Sequence, residues 1–328
     1  MKDLLIKKFI NDLGDKFSEK ELRFIEEKLV QALNGLDLTR NTEETEGNDY
    51  NVVLQKYLSS KKIEGCSLKT ISYYEKTIKK VLSVIDKNVK LISTEDIRDY
   101  ISEYKHSSRV SNVTIDNVRR ILSSFFTWLE EENYIFKSPI RRIHKVKCEQ
   151  VVKEVITDEQ LVKIKDACSN FRDLALIEIL SSTGIRVGEL VGLNKRDIDF
   201  NERSCIVLGK GNKQREVYFD AKTKIHLDEY LKGRKDNCEA LFVSYNEPNQ
   251  RLTISGIEYI VKKIGLKCEI KNVHPHKFRR TLATYAIDKG MPIEQVQKLL
   301  GHVKIDTTMH YAIVNQNNVK ISHRRYIS

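Results

Sequence analysis

The chain has 328 residues, and its 57 Lys and Arg outnumber 46 Asp and Glu to leave a net charge of +11 at pH 7. That length suits two or three domains at roughly 100–200 residues each, and 40% apolar with 31% charged residues excludes wholesale disorder. No apolar run reaches the ~18–20 residues that span a bilayer, the amino terminus lacks a secretory pattern, and the six scattered cysteines fit neither a zinc site nor a disulfide scaffold. These features describe a soluble, reduced, cytoplasmic protein without a membrane partner, whose surplus charge points to a polyanion, nucleic acid first.

The charge is unevenly spread: residues 1–50 carry −4, residues 51–150 carry +7 and residues 151–328 carry +8. The leader contains one well-marked helix. Ser18 and Glu21 form a capping-box pattern, and Leu22, Ile25, Leu29 and Leu33 recur at helical spacing before Gly35. The acidic stretch Thr39–Asp49 reads as a linker. From residue 50 to about 140 the pattern predicts a helical bundle. Ser67 opens a helix with Ile71, Tyr74, Ile78, Leu82 and Ile85 on one stripe, and Thr94 to about Tyr104 reads as a shorter helix. A long helix from about Val113 to Glu132 turns Ile115, Val118, Leu122, Phe125 and Leu129 inward and Arg119 and Arg120 outward. The lysines Lys69, Lys76, Lys79 and Lys80 read either as a solvated face or as contacts to DNA phosphates, and Arg119 and Arg120 are candidate DNA contacts with them.

Pro139 and the basic run 141–153 interrupt the helical pattern and mark the best domain boundary, and the run's Arg141, Arg142, Lys145 and Lys147 are expected to track a phosphate backbone. Thr157 and Gln160 restart a helix with a second capping box, and residues 171–182 are apolar nearly all round, as in a buried helix. Residues 203–219 form two β-rich runs about Gly209-Lys-Gly-Asn-Lys213, a hairpin signature.

Four short segments then carry polar chemistry: Thr183-Gly-Ile-Arg-Val-Gly-Glu189, the Gly209-Lys210-Gly211 turn, His274-Pro-His-Lys-Phe-Arg279, and Leu299-Leu-Gly-His302 followed by Asp306-Thr-Thr-Met-His-Tyr311. Singly, each has a structural explanation: an arginine past a buried helix pairs with a carboxylate, a lysine in a glycine turn is solvated, and a histidine at a helix start caps it. Together, the order Arg, Lys, His-x-x-Arg, Gly-His, Tyr resembles the tyrosine recombinase (integrase) family, particularly the compact Xer-type recombinases and the phage and mobile-element integrases. The resemblance covers residues 180–315 at specific motifs and residues 50–150 more loosely.

The resemblance implies roles residue by residue. Arg186 and Arg279 match the two catalytic arginines, Lys210 the hairpin lysine that acts as general acid, His276 and His302 the two histidine positions, and Tyr311 the nucleophile. Glu189 matches the acidic residue after the first arginine, and could share a helical face with Arg186. His274 competes with His276, but only His276 has the His-x-x-Arg spacing. Where many members carry histidine after the second arginine this chain has Arg280, left to contact DNA phosphate or another protein group. The chemistry calls for such residues independently: a phosphorane-like state needs permanent, planar, bidentate cations on its non-bridging oxygens, and a phenol of pKa about 10 needs activation at neutral pH.

The fold implied is mainly α with a small antiparallel sheet, a two-domain DNA clamp of helical core-binding domain and mixed α+β catalytic domain. Its bounds are 1–49 leader and acidic linker, 50–140 helical DNA-binding domain, 141–155 basic interdomain linker and 156–328 catalytic domain with tail. The activity implied is site-specific cleavage and rejoining of duplex DNA through a 3′-phosphotyrosyl intermediate and a Holliday junction, with no metal and no cofactor. The partners implied are double-stranded DNA sites and a homotetramer joined through the carboxy-terminal tail. A type IB topoisomerase-like relaxing enzyme and a non-catalytic DNA-binding protein of the same fold are the alternatives. The acidic leader is expected to serve packing or assembly rather than a second DNA site.

Overall fold

The computed structural model describes residues 2–14, 17–34, 50–148, 154–209, 214–302 and 305–309. It comprises two compact units, residues 1–150 and 151–328.

The first unit begins with α1 (Lys2–Leu13) and α2 (Glu19–Ala32), which pack on each other. The Ser18 amide and hydroxyl both donate to the Glu21 carboxylate, at 2.9 and 2.7 Å, so the capping box read from sequence starts α2. Helix α1 was not among the expected elements, because its apolar residues are interrupted by Lys and Asp. There follow α3 (Tyr50–Ile63), α4 (Leu68–Ile85), α5 (Thr94–Ser108) and α6 (Asn112–Glu131). Serine caps open the last three: Ser67 accepts the Thr70 amide, Ser93 that of Asp96, and Ser111 that of Thr114. The expected stripes face one core, with Ile78 and Leu82 of α4 against Leu122, Phe125 and Leu129 of α6. At its centre Tyr57 meets Phe125 and Trp128 edge-on, at 5.2 and 5.6 Å between ring centroids, and its hydroxyl reaches Ser124 Oγ at 2.8 Å. A short 3₁₀ turn, Pro139–Arg142, closes this unit before the chain extends to Cys148.

The second unit contains α7 (Asp158–Asp166), α8 (Phe171–Thr183), α9 (Val187–Gly192), β1 (Ile198–Asp199), β2 (Ser204–Leu208), β3 (Gln214–Tyr218), α10 (Ala221–Lys232), α11 (Ile254–Lys267), α12 (Pro275–Asp288), α13 (Ile293–Leu300) and α14 (Ile305–Met309). The fold is mainly helical with a three-stranded antiparallel sheet in the order β1-β2-β3. Val207 pairs with Arg215 and Leu208 with Gln214, which is the hairpin the sequence predicts; its turn residues 210–213 lie outside the described residues. Helix α8 is the buried rod expected from its composition. Leu176, Ile177, Ile179 and Leu180 are all inaccessible, and α10, α12 and β3 pack around it. No helix among the described residues is long and apolar enough to cross a membrane.

Candidate active site

The site is assembled where α8 and α13 end. Helix α8 stops at Gly184, which has φ +59° and whose amide bonds back to Leu180 O at 3.2 Å. A β-carbon there would stand 2.7 Å from Leu282 Cδ2, so the position demands glycine for both backbone and space. Helix α13 stops the same way at Gly301, φ +64°, where a β-carbon would stand 2.8 Å from Arg215 Cδ. Each helix terminus leaves carbonyl groups without intrahelical partners at the negative end of the helix dipole.

Arginines take those carbonyls. Arg279, on α12, is 1% exposed and donates from Nη1 to Gly184 O at 2.8 Å and from Nη2 to Leu300 O. Arg186, the N-cap of α9, donates from Nη2 to Gly301 O at 3.0 Å and from Nη1 to Glu189 Oε1 at 2.8 Å. The Gly184 and Leu300 carbonyls, one for each terminal nitrogen, offset part of the cost of burying the Arg279 guanidinium. The two arginines that the sequence places 93 residues apart are thus brought to adjacent carbonyls of one turn.

Glu189 is nearly inaccessible, and its Oε2 accepts the Arg186 amide at 2.9 Å. The expectation of a shared helical face is refined here: Arg186 lies outside the helix as its cap, and Glu189 reaches back to it from the first turn. Burial pushes the Glu189 carboxyl up, but hydrogen bonds from Arg215 and Arg186 outweigh it and hold the group below the usual carboxylate range.

His302 follows Gly301 and is buried. Its Nδ1 lies 2.8 Å from Thr308 Oγ1, its amide bonds to Gln297 O at 3.1 Å, and its carbonyl accepts from Gln297 Nε2 at 2.9 Å. Burial first, then the nearby Arg279, Arg186, His276 and Arg215, lower its pKa to about 4. The imidazole is therefore neutral at physiological pH, a hydrogen-bonding group rather than a cation.

The competing histidines separate by position. His274 is the N-cap of α12, its Nδ1 accepting the Lys277 amide at 3.2 Å, whereas His276 is exposed on the first turn with its ring near-parallel to that of His274, 6.4 Å away. Arg280 takes the protein option: it is buried, and its Nη2 donates to the Glu154 carbonyl. With Thr281 accepting the Ile156 amide at 2.9 Å and Tyr285 donating to Ile156 O at 2.9 Å, it pins segment 154–156 to α12. Lys210 and Tyr311 lie outside the described residues.

Sequence reasoning missed Arg215. This β3 residue donates from Nη1 and Nη2 to the two Glu189 oxygens at 2.7 and 2.8 Å, and from Nε to Leu299 O at 3.2 Å. The available signal was its place in the hairpin, five residues after Lys210.

In the helical unit Lys69, Lys76, Arg120, Arg142, Lys145 and Lys147 are exposed. Lys79 pairs with Glu75 at 2.7 Å, Lys80 lies 4.4 Å from the centroid of the Tyr104 ring, and Arg141 stands 3.5 Å from Glu130. Arg119, expected outward, is instead held 2.8 Å from the buried Asp116, which also accepts the Val146 amide at 3.2 Å. Among the described residues no group of His, Cys, Asp and Glu could hold a metal ion.

Known proteins match both units. Residues 154–318 match the phage integrase family, and residues 53–135 match the phage integrase N-terminal SAM-like domain. The tyrosine recombinase XerC of Staphylococcus aureus strain JH9 is 29% identical over 283 residues, covering 82% of this chain and 94% of that protein. Its counterpart in strain USA300 / TCH1516 is 31% identical over 234 residues, covering 69% and 78%. The Tn1549 transposon integrase in complex with transposon right-end DNA has a TM-score of 0.67 at 20% identity, covering 84% of this chain and 99% of that one. A lambda integrase dimer bound to a COC′ core site has a TM-score of 0.66 at 18% identity, covering 88% and 86%. The two structures share the fold. On the matches across both its units, the chain belongs to the phage integrase family of tyrosine recombinases, enzymes that break and rejoin DNA.

Proposed function

We propose that this chain is a site-specific recombinase that exchanges strands between two duplex DNA sites. The observation that carries the reading is the convergence of Arg186, Arg279 and His302 at the turn that ends α13, nine residues before Tyr311. The relatives named tyrosine recombinase, and the integrases solved on DNA, support the substrate class.

In this reading the Tyr311 oxygen attacks the scissile phosphorus, its proton passing to His276, and the bond from phosphorus to the 5′ oxygen breaks as Lys210 protonates the leaving oxygen. The products are a 3′-phosphotyrosyl bond and a free 5′ hydroxyl. Attack by the 5′ hydroxyl of the partner duplex reverses the steps and frees the phenol, so one ester bond is exchanged for another and no ATP is consumed. Arg186 and Arg279 bind the non-bridging oxygens as the phosphorane gathers charge, each contributing about 3–4 kcal/mol to the barrier reduction. Neutral His302 donates from Nε2 when the Thr308 hydroxyl donates to Nδ1.

Two rounds of exchange pass through a Holliday junction in a homotetramer, with the apolar Val319, Ile321 and Ile327 of the basic tail docking on a neighbouring protomer. The exposed Lys69, Lys76, Arg120, Arg142, Lys145 and Lys147 supply phosphate contacts, and the enzyme acts on the nucleoid in the cytoplasm. The test uses a supercoiled plasmid carrying two copies of the core site recovered by binding the chain to a random-sequence duplex pool. Inverted or excised products are expected. Relaxed topoisomers without exchange would instead assign the chain to relaxation.

A further inference from the structure

We propose that Arg215 is a positioning residue for DNA cleavage: by neutralising Glu189 it leaves Arg186 with an uncompensated positive charge for the scissile phosphate. The proposal rests on the reading of Arg186 as a phosphate-binding group.

Three consecutive carbonyls at the end of α13 are taken by three different arginines. Leu299 O accepts from Arg215 Nε at 3.2 Å, Leu300 O from Arg279, and Gly301 O from Arg186 at 3.0 Å. This explains physically why a Leu-Leu-Gly-His segment stands here: the orphaned carbonyls of the helix end form a rack for guanidiniums, and Gly301 lets the Arg215 stem pass 2.8 Å from where a β-carbon would sit.

Arg215 differs from the other two in what it does with its charge. Its side chain is 12% exposed, that of Arg186 39%, and that of Glu189 5%. All three Arg215 nitrogens donate within the protein, two of them to both oxygens of one carboxylate. A buried carboxylate must be compensated. If Arg186 alone faced Glu189, the two would form a closed neutral pair, and Arg186 would have to leave it to bind phosphate. With Arg215 bidentate on Glu189, the carboxylate is already neutralised. Glu189 then needs Arg186 only for orientation, through its amide at 2.9 Å and Nη1 at 2.8 Å. The cluster of two arginines and one carboxylate keeps one positive charge, on its more exposed member.

The experiment measures single-turnover formation of the covalent adduct on a nicked duplex bearing the core site described above, beside a duplex whose scissile phosphate has one non-bridging oxygen replaced by methyl. The methyl removes a negative charge that Arg186 would stabilise. Arg215→Gln is expected to cleave the ordinary phosphate about 100-fold more slowly, with DNA affinity changed by no more than about threefold. On the methyl-substituted duplex its deficit relative to wild type should fall below about tenfold, as should that of Arg186→Gln. Removing the carboxylate charge as well, in Arg215→Gln/Glu189→Gln, should recover at least about tenfold of the lost rate. Equal deficits on both duplexes, or no recovery in the double variant, would overturn the proposal. Arg215→Lys, which keeps the charge without the bidentate fork, serves where Arg215→Gln fails to fold; its deficit should be smaller and should likewise shrink on the methyl-substituted duplex, and a deficit equal on both would count against the proposal. Absence of any wild-type adduct, or an adduct formed by Tyr311→Phe, would instead refute the underlying reading of the active site.

Discussion

The helical unit holds Lys69, Lys76 and Arg120 exposed on α4 and α6, whereas the second unit draws Arg186, Arg215 and Arg279 onto the carbonyls at the end of one helix. In the proposed function the first set, exposed to solvent, would act on DNA phosphates through screened, additive attraction. The second is held by hydrogen bonds to fixed backbone acceptors and, in the proposed function, would act through orientation. Residues 51–150 and 151–328 differ by one unit of net charge, +7 against +8, so charge alone does not distinguish grip from chemistry; burial and acceptor geometry do.

The largest effect that would break this distinction is at Arg279. Arg279→Ala leaves Gly184 O and Leu300 O without their donor and is expected to cost about 2–5 kcal/mol of stability and at least about 10³-fold in single-turnover cleavage. A variant that still cleaves within tenfold of wild type would show that its burial serves the fold alone. Gly301→Ala comes next. It forces an alanine into φ +64° against the Arg215 stem, for about 1–3 kcal/mol by thermal unfolding and about tenfold or more in cleavage. Changing Lys69, Lys76 and Arg120 together to alanine should do the converse: the slope of log affinity against log salt falls by about 3, while cleavage at saturating protein stays within about twofold. A large loss of cleavage at saturation would erase the contrast between the units.

At His302 the effect is read against pH rather than in rate. Its folded pKa of about 4 lies below the ordinary value near 6.5, so as pH falls the unfolded chain takes up the proton first. The stabilisation is complete above about pH 6.5 and is lost progressively as pH falls toward 4, by no more than about 3 kcal/mol. His302→Gln should flatten unfolding temperature against pH over that window. An unchanged slope would show that His302 is not neutral in the folded protein.

Much of this was legible in the sequence, and the exceptions share a cause. The stripe Ile71, Tyr74, Ile78, Leu82, the caps at Ser18 and Thr157, and the all-apolar α8 are periodic or local signals, which sequence displays directly. Arg186, Arg279 and His302 were singled out through the family resemblance of their motifs, and the fold brings them to one turn. The role of Arg215 was not legible, because it depends on a β3 residue meeting a carboxylate 26 residues earlier and a carbonyl 84 residues later, and a carbonyl has no side-chain signature. The inward pairing of Arg119 with Asp116 was hidden for a related reason: helical spacing indicates which residues are neighbours, while the burial of Asp116 is set by the tertiary core. Helix α1 escaped because Lys and Asp interrupt its apolar positions.

The decisive experiment traps the cleaved complex on a nicked duplex, digests the protein and maps the DNA-linked peptide. Cleavage by Tyr311 gives a 3′-phosphate joined to that residue, a free 5′ hydroxyl on the departing strand, and no adduct with Tyr311→Phe. Linkage to another residue, or attachment through a 5′-phosphate, would contradict that chemistry.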